Sequence, residues 1–379
     1  MKWSRASESE NSENQKHLLT CVTGVAGCAK LSRGGSVGKV TKVGIDLAKR
    51  TSHLVAVNHR GKVLHKRKFN TEELLSEVKK LGDDFEVILE ACGASHHYGR
   101  ELERHGYQST LLPAQVVAKY RVKQKNDYND AYAETEAASR SDVCAVPVKD
   151  LERQEAQHLL RVRERVLKEM IALSNQLHGV MLEYGQHTSR GHRRLSAAVS
   201  SFLIEGTLSE LPARLLREDV EHLELLILRL KSLDREVKKF VERTPLALRM
   251  CTVPGVGPVT ALSIYAAATN PERFKDSREF TAWLGLVPVQ FSTGGETRLG
   301  SLPKNGSYPL RRLLIHGARS VMRLSGKKDD TLSLYAARLD AKKTRNKAVV
   351  AVANKMARIL WRVMVSADDQ YDPRHNSGA

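Results

Sequence analysis

The chain has 379 residues, enough for two or three domains with cores of their own, and none of its apolar runs approaches the roughly 20 residues that span a bilayer. Its 61 Lys and Arg outnumber its 43 Asp and Glu, a formal charge of +18, and an excess of that size favours a polyanionic partner because each basic side chain on a phosphate releases a condensed counterion. Five scattered cysteines (Cys21, Cys28, Cys92, Cys144, Cys251) form no CxxC pair, which argues against a disulfide scaffold or structural zinc and, with no apolar signal core at the N-terminus, for a cytoplasmic protein without a membrane partner.

Residues 1–39 are rich in Ser, Glu, Asn and Gly and read as a disordered extension. Order is expected from Lys42-Val43-Gly44-Ile45-Asp46, a short strand ending in a carboxylate. His53–Val57 and Lys62–Phe69, linked by Asn58-His59-Arg60-Gly61, complete an antiparallel meander. Thr71 is placed to cap a helix starting at Glu72. Glu86–Glu90 is a strand that again ends in an acid, followed by a helix (His97–Gly106), a strand (Gln108–Leu112) and a helix (Ala114–Val122). A mixed α/β domain therefore covers about 40–145, with its boundary set at 149.

From Leu151 to about Tyr184, and again from Pro212 to Val241, apolar residues recur at helical spacing, with the polar link Gly185–Arg194 between. Two long antiparallel helices, forming either a coiled-coil-like arm or a plain helical layer, are expected over 150–245. A mainly helical C-terminal domain, 246–366, opens with Thr252-Val253-Pro254-Gly255-Val256-Gly257-Pro258, and 367–379 form a flexible tail. Glycines such as Gly255 and Gly257 at a helix start let backbone N–H groups approach a phosphate. Between Arg298 and Arg362 lie sixteen basic residues, including Arg298, Lys304, Arg311, Arg312 and Arg319, against three acids. That concentration marks the expected nucleic-acid surface. Aromatic residues are only 5% of the chain, too few for a base-stacking platform. Trp283 and Trp361 read as core, and His96 and His97 as structural.

Four acids stand out. Asp46 and Glu90 close strands of one sheet, and Asp127 and Asp130 sit three apart at the start of a helix, on one face. Such a cluster repels itself unless cations neutralise it, and its hard oxygen donors suit Mg²⁺ or Mn²⁺. Two such ions can activate a nucleophile and stabilise a leaving oxygen in phosphoryl transfer.

Ile45-Asp46-Leu47-Ala48-Lys49, Leu89-Glu90-Ala91-Cys92-Gly93 and Lys125-Asn126-Asp127-x-x-Asp130-Ala131 resemble the DEDD transposases of the insertion-sequence 110 and 1111 groups. Further matches are Val253-Pro254-Gly255-Val256-Gly257, Phe280-x-x-Trp283-Leu284-Gly285-Leu286-x-Pro288, Gly300-x-x-x-Lys304-x-Gly306 and Leu310-Arg311-Arg312-Leu313-Leu314. The resemblance spans about 42–365. It implies an RNase H-like, resolvase-like catalytic domain joined to the arm and to a C-terminal transposase domain with a helix–hairpin–helix-like loop. It also implies a bacterial enzyme whose four acids bind Mg²⁺ and whose C-terminal serine attacks DNA to form a covalent link; activation of that hydroxyl by the acids of a neighbouring subunit would make the active site composite. Donor and target double-stranded DNA, a structured non-coding bridge RNA and a homodimer-to-homotetramer assembly are the implied partners. Counted without gaps from Pro288, the family serine falls on Thr293, and a one-residue shift gives Ser292. The less hindered primary hydroxyl favours Ser292. Two other readings use fewer of these features: a structure-specific nuclease needing the acids alone, and a catalytically silent nucleic-acid-binding protein.

Overall fold

The computed structural model describes residues 38–121, 124, 126–141, 143–293, 296–366 and 370–374, with Ser292, Thr293, Glu296 and Thr297 described by their backbone. Most of the expected extension 1–39 and of the tail 367–379 lies outside these residues. The chain divides into two compact units, up to Val146 and from Pro147 onward.

The first unit is built on a five-stranded sheet of order β3-β2-β1-β4-β5, from β1 (Lys42–Asp46), β2 (Thr51–Val57), β3 (Val63–Asn70), β4 (Glu86–Glu90) and β5 (Gln108–Leu112). β1 pairs antiparallel with β2, and β2 with β3, as the turn residues predict. β4 joins β1 in parallel, and β5 joins β4 in parallel. Central β1 and β4 bury three consecutive residues each, Val43-Gly44-Ile45 and Val87-Ile88-Leu89, as strands covered on both faces must. Edge strand β3 exposes His65, Lys66 and Lys68 among its residues, a charged edge that discourages pairing with another chain.

Helices α1 (Leu74–Lys79), α2 (Ser95–Arg104), α3 (Ala114–Val117) and α4 (Asp127–Ala137) complete this unit. Thr71 does not cap α1. It is buried in a 3-10 turn, where its hydroxyl bonds to the Ala48 carbonyl at 2.9 Å and the Ser52 hydroxyl at 2.8 Å. The helix expected to reach Val122 ends early, as α3 followed by a 3-10 turn over Ala118–Tyr120. α4 packs on β1, β2 and β4 through Ala131, Ala133 and Ala137, all buried. Gly44 sets that closeness: a Cβ there would stand 2.0 Å from the Ala131 carbonyl oxygen.

The second unit begins with α5 (Leu151–Glu183), α6 (His192–Ile204) and α7 (Glu210–Arg243). α5 and α7 run antiparallel, shown by the pairs Arg163–Asp234 and Gln176–Asp219. The expected two-helix arm is corrected by α6, which starts inside the supposed link and packs Leu195, Val199 and Phe202 against Val166, Leu177, Leu216 and Leu223. Ser174 meets His192 Nδ1 at 2.6 Å, and Ser196 donates to Glu224 at 2.5 Å, fixing α6 to both long helices.

Ala156, Val237, Phe240 and Val241 of the long helices share one core with α8 (Pro245–Met250), α9 (Pro258–Ala267), α10 (Ser277–Trp283), α11 (Tyr308–Leu324), α12 (Thr331–Lys342) and α13 (Arg345–Val365). The division expected near residue 245 thus falls inside one compact unit. Trp283 and Trp361 flank this core, Trp361 donating to the Pro271 carbonyl at 3.1 Å. A small hairpin, β6 (Gln290–Thr293) with β7 (Glu296–Leu299), completes the unit. Among the described residues no helix is long and apolar enough to cross a membrane.

Candidate active site and nucleic-acid interface

The last β1–β4 pair is Ile45 with Leu89, and the next residues, Asp46 and Glu90, leave the two parallel strands side by side. This is the carboxyl end of the sheet, where open α/β sheets place their ligands. On α4, Asn126 is the N-cap, its side chain accepting the Tyr128 N–H at 2.9 Å. Asp127 and Asp130 occupy the first turn, where the helix dipole favours negative charge. The α4–sheet contact brings both to the Asp46 end of β1. Burial pushes the Asp46 carboxyl above its ordinary range, and Asp130, Asp127 and Glu90 add to that rise while His53 opposes it. Glu90, Asp127 and Asp130 therefore stand within electrostatic reach of Asp46.

Two basic side chains that pattern reading passed over engage this cluster. Arg121 is ion-paired to Asp130, and His53 Nδ1 lies 3.3 Å from Asp127 Oδ2. His53 is the cross-strand partner of Asp46 in the β1–β2 hairpin, a placement that counting the hairpin register would have found. A fifth acid, Glu134, is buried one turn further along α4. Among the described residues no three acid, His or Cys groups converge at metal-ligating distance. In donor chemistry the four carboxylates fit a hard divalent cation: all are oxygen donors, and their mutual repulsion is the cost that a cation would remove.

In the second unit the structure sorts the expected nucleic-acid contacts. Arg311 is buried, its Nη1 donating to the carbonyls of Gly285 at 3.1 Å, Pro303 at 2.8 Å and Asn305 at 3.1 Å. It braces loops instead of meeting phosphates, which corrects the expectation for this residue. Arg311→Ala is expected to destabilise the fold by about 3 kcal/mol, the range for losing hydrogen bonds from a buried charged donor. Thermal unfolding of the variant checks this, and the salt dependence of DNA binding should be unchanged in the protein that remains folded.

Arg312 donates to Glu164 at 2.9 Å. Gly255 (φ 82°) is likewise structural, since a Cβ on it would stand 2.7 Å from the Gly317 carbonyl oxygen, and one on Gly317 would stand 2.2 Å from that of Gly255. The two glycines press the Pro254–Gly257 loop onto α11. Gly257, the exposed N-cap of α9, has open space around its Cβ position.

Lys304, Arg298 and Arg319 are exposed. Arg319 lines a cavity of about 360 Å³ with His316, Ser320 and Arg323 of α11 and Arg345, Asn346 and Val349 of α13. Among the described residues no acid lines it, and α13 starts there with no side-chain cap on its first N–H groups, a geometry that receives phosphate. No sequence spacing pairs α11 with α13, so the meeting of Arg319 and Arg323 with Arg345 emerges only from the packing. The Ser292-Thr293 segment forms the end of β6, Ser292 opposite Thr297 and Thr293 opposite Glu296, joined through Gly294 and Gly295, which lie outside the described residues.

Comparison with known proteins points the same way. A family model described as "Transposase IS116/IS110/IS902 family" matches residues 247–333, and a transposase model for the DEDD, IS110 type matches residues 43–186. The chain is 36% identical to the "Probable family 20 transposase" of Pseudomonas aeruginosa, covering 88% of this chain and 99% of that protein. It is 34% identical to the "Transposase for insertion sequence element IS1111A" of Coxiella burnetii, over 87% and 91% of the two chains. It is 31% identical to the "Transposase for insertion sequence element IS1328" of Yersinia enterocolitica, over 86% and 96%.

Proposed function

The chain belongs to the IS116/IS110/IS902 family of transposases, and from that premise we propose that it cuts and rejoins the strands of double-stranded donor and target DNA through a divalent-cation site and a hydroxyl nucleophile. One observation supports the reading: Asp46 ends the central strand beside Glu90, and its carboxyl is pushed upward first by burial and then by the charges of Asp130, Asp127 and Glu90, three acids from two other elements. The five-stranded mixed sheet that carries them is consistent with an RNase H-like DEDD domain.

Asp46, Glu90, Asp127 and Asp130 would hold Mg²⁺ or Mn²⁺, which supplies charge neutralisation and oxygen activation in phosphoryl transfer. Ser292, or Thr293 beside it, supplies the attacking hydroxyl. Its oxygen bonds to a backbone phosphorus, the bond from that phosphorus to the departing sugar oxygen breaks, and the proton ends on the released sugar hydroxyl. The phosphoester so formed keeps the bond energy for rejoining. The basic C-terminal surface, centred on Arg319, Arg323 and Arg345 with Arg298, Lys304 and Gly257, binds nucleic acid. A structured bridge RNA directs the choice of site, and the working assembly is a homodimer that pairs into a tetramer.

The test is strand exchange between donor and target plasmids by the purified chain with the nucleic acid that copurifies with it, in Mg²⁺ and in excess chelator. Joined products that require the cation, and one recurrent structured RNA among the sequenced copurifying species, are expected. Cut but unjoined DNA would turn the reading to a nuclease, and random cellular RNA would remove the guide. For the basic surface, Arg319→Ala combined with Arg345→Ala should weaken binding to DNA of any sequence. Each lost contact should shallow the slope of log affinity against log salt by about 0.7–0.9. An unchanged slope would take phosphate binding away from this cavity.

A further inference from the structure

Glu134 follows Asp127 and Asp130 on α4 at positions i, i+3 and i+7, which share one helical face. It is only 1% exposed, enclosed where α4 lies against β1 and β4. Its Oε1 accepts the N–H of Glu90 at 3.1 Å, while Oε2 is buried with no hydrogen-bond partner among the described residues. The N–H of Glu90 needs such an acceptor. The neighbouring Ala91 N–H is bonded to Leu112 on β5, so that of Glu90 faces β1, and the β1–β4 ladder has already ended at Ile45 and Leu89. The backbone N–H of Ile45 also favours the ionised Glu134 carboxyl, so this one side chain bears on both strands just below the point where they release Asp46 and Glu90.

A carboxyl in this place is costly. At 1% exposure it is stripped of water, and Oε2 has no hydrogen-bond partner among the described residues to compensate. An apolar side chain of similar size would fill the same space without that cost. Stability alone does not account for a glutamate here.

We propose that Glu134 is a positioning residue of the acid site: its carboxyl ties the parting ends of β1 and β4 to the acid-bearing helix, and so sets the separation of Asp46 and Glu90 from Asp127 and Asp130. The inference rests on the reading of those four acids as a cation site. Partners that orient ligands from behind in this way are commonly worth 10–100-fold in metal affinity.

The experiment measures Mn²⁺ binding to the full chain by electron paramagnetic resonance, with thermal unfolding alongside. Wild type, Asp46→Asn, Glu134→Gln and Glu134→Leu are compared. Glu134→Gln keeps an oxygen for the Glu90 N–H and is expected to bind Mn²⁺ nearly as wild type does. Glu134→Leu is expected to fold with an equal or higher melting temperature, yet to bind Mn²⁺ about 10–100-fold more weakly. Wild-type affinity in the leucine variant, or failure of that variant to fold, makes Glu134 a structural residue and overturns the proposal. A glutamine variant as weak as Asp46→Asn makes Glu134 a ligand and overturns it equally. If wild type and Asp46→Asn bind alike, the four-acid reading itself has failed and this inference falls with it. If they differ while Glu134→Leu matches wild type, this inference alone fails.

Discussion

Asp46→Asn is expected to reduce DNA strand exchange by about 10³-fold or more while leaving the fold and the binding of nucleic acid intact. Neutralisation of developing charge at a metal site is worth several kcal/mol, and each 1.36 kcal/mol is a factor of ten in rate. Asp46 is the member of the cluster whose carboxyl feels the other three, so its loss removes the point where they meet. The same substitution should leave the metal-free protein more stable than wild type at neutral pH. The direction follows from linkage. A carboxyl whose folded pKa lies above its unfolded value is disfavoured in the folded state once ionised, and that penalty is complete above the folded pKa. As pH falls through the folded pKa the wild-type carboxyl takes up its proton, and the advantage of asparagine shrinks toward zero. Denaturant unfolding of both proteins in chelator across pH 4–8 measures this, and exchange on plasmid substrates measures the rate. A variant that recombines at the wild-type rate ends the four-acid reading. A variant less stable than wild type at neutral pH ends the electrostatic account of the cluster.

Ser292→Ala is expected to abolish both cleavage and exchange, and Thr293→Ala to reduce them less. A primary hydroxyl meets a phosphorus with less hindrance than a secondary one, and either needs activation because a free alcohol is a weak nucleophile. The backbone setting suits the role: the pair ends β6 beside the Gly294–Gly295 connection of the hairpin, and glycines leave room for a DNA backbone. Reaction on a nicked substrate, followed by proteolysis, should leave DNA on the peptide containing Phe291 to Gly295. Attachment at Thr293 would exchange the two roles and keep the mechanism. Continued cutting by the double alanine variant, with no adduct, would make water the nucleophile and the protein a resolvase-like nuclease.

Much of the architecture around the acids is legible in the residues themselves. Alternation, turn chemistry and two strands that each stop at a carboxylate lead to β1, β2, β3 and β4 within a few residues, because those signals are local. Asn126 before Asp127 marks a helix start for the same reason: an asparagine side chain caps the N–H groups just after it. The helical pattern of α5 and α7 is equally plain over more than thirty residues each. α6 escapes that reading because Leu195, Val199 and Phe202, though at helical spacing, repeat over only 13 residues, within a stretch that begins with glycine and basic residues.

Sequence by itself determined the family resemblance, the surplus of positive charge and the elements that carry Asp46, Glu90, Asp127 and Asp130. Tertiary structure alone decided which polar groups are spent internally. Arg311 looked like one more phosphate contact, yet its guanidinium serves carbonyls of Gly285, Pro303 and Asn305. Gly255 looked like a phosphate cradle, yet it makes room for Gly317, 62 positions away. Glu134 looked like one acid among many on a helix, yet it is buried beneath two strand ends. The physical reason is common to all three. Charge and conformational freedom belong to a residue, whereas desolvation and hydrogen-bond partners belong to its surroundings, and those are assembled from segments far apart in the chain.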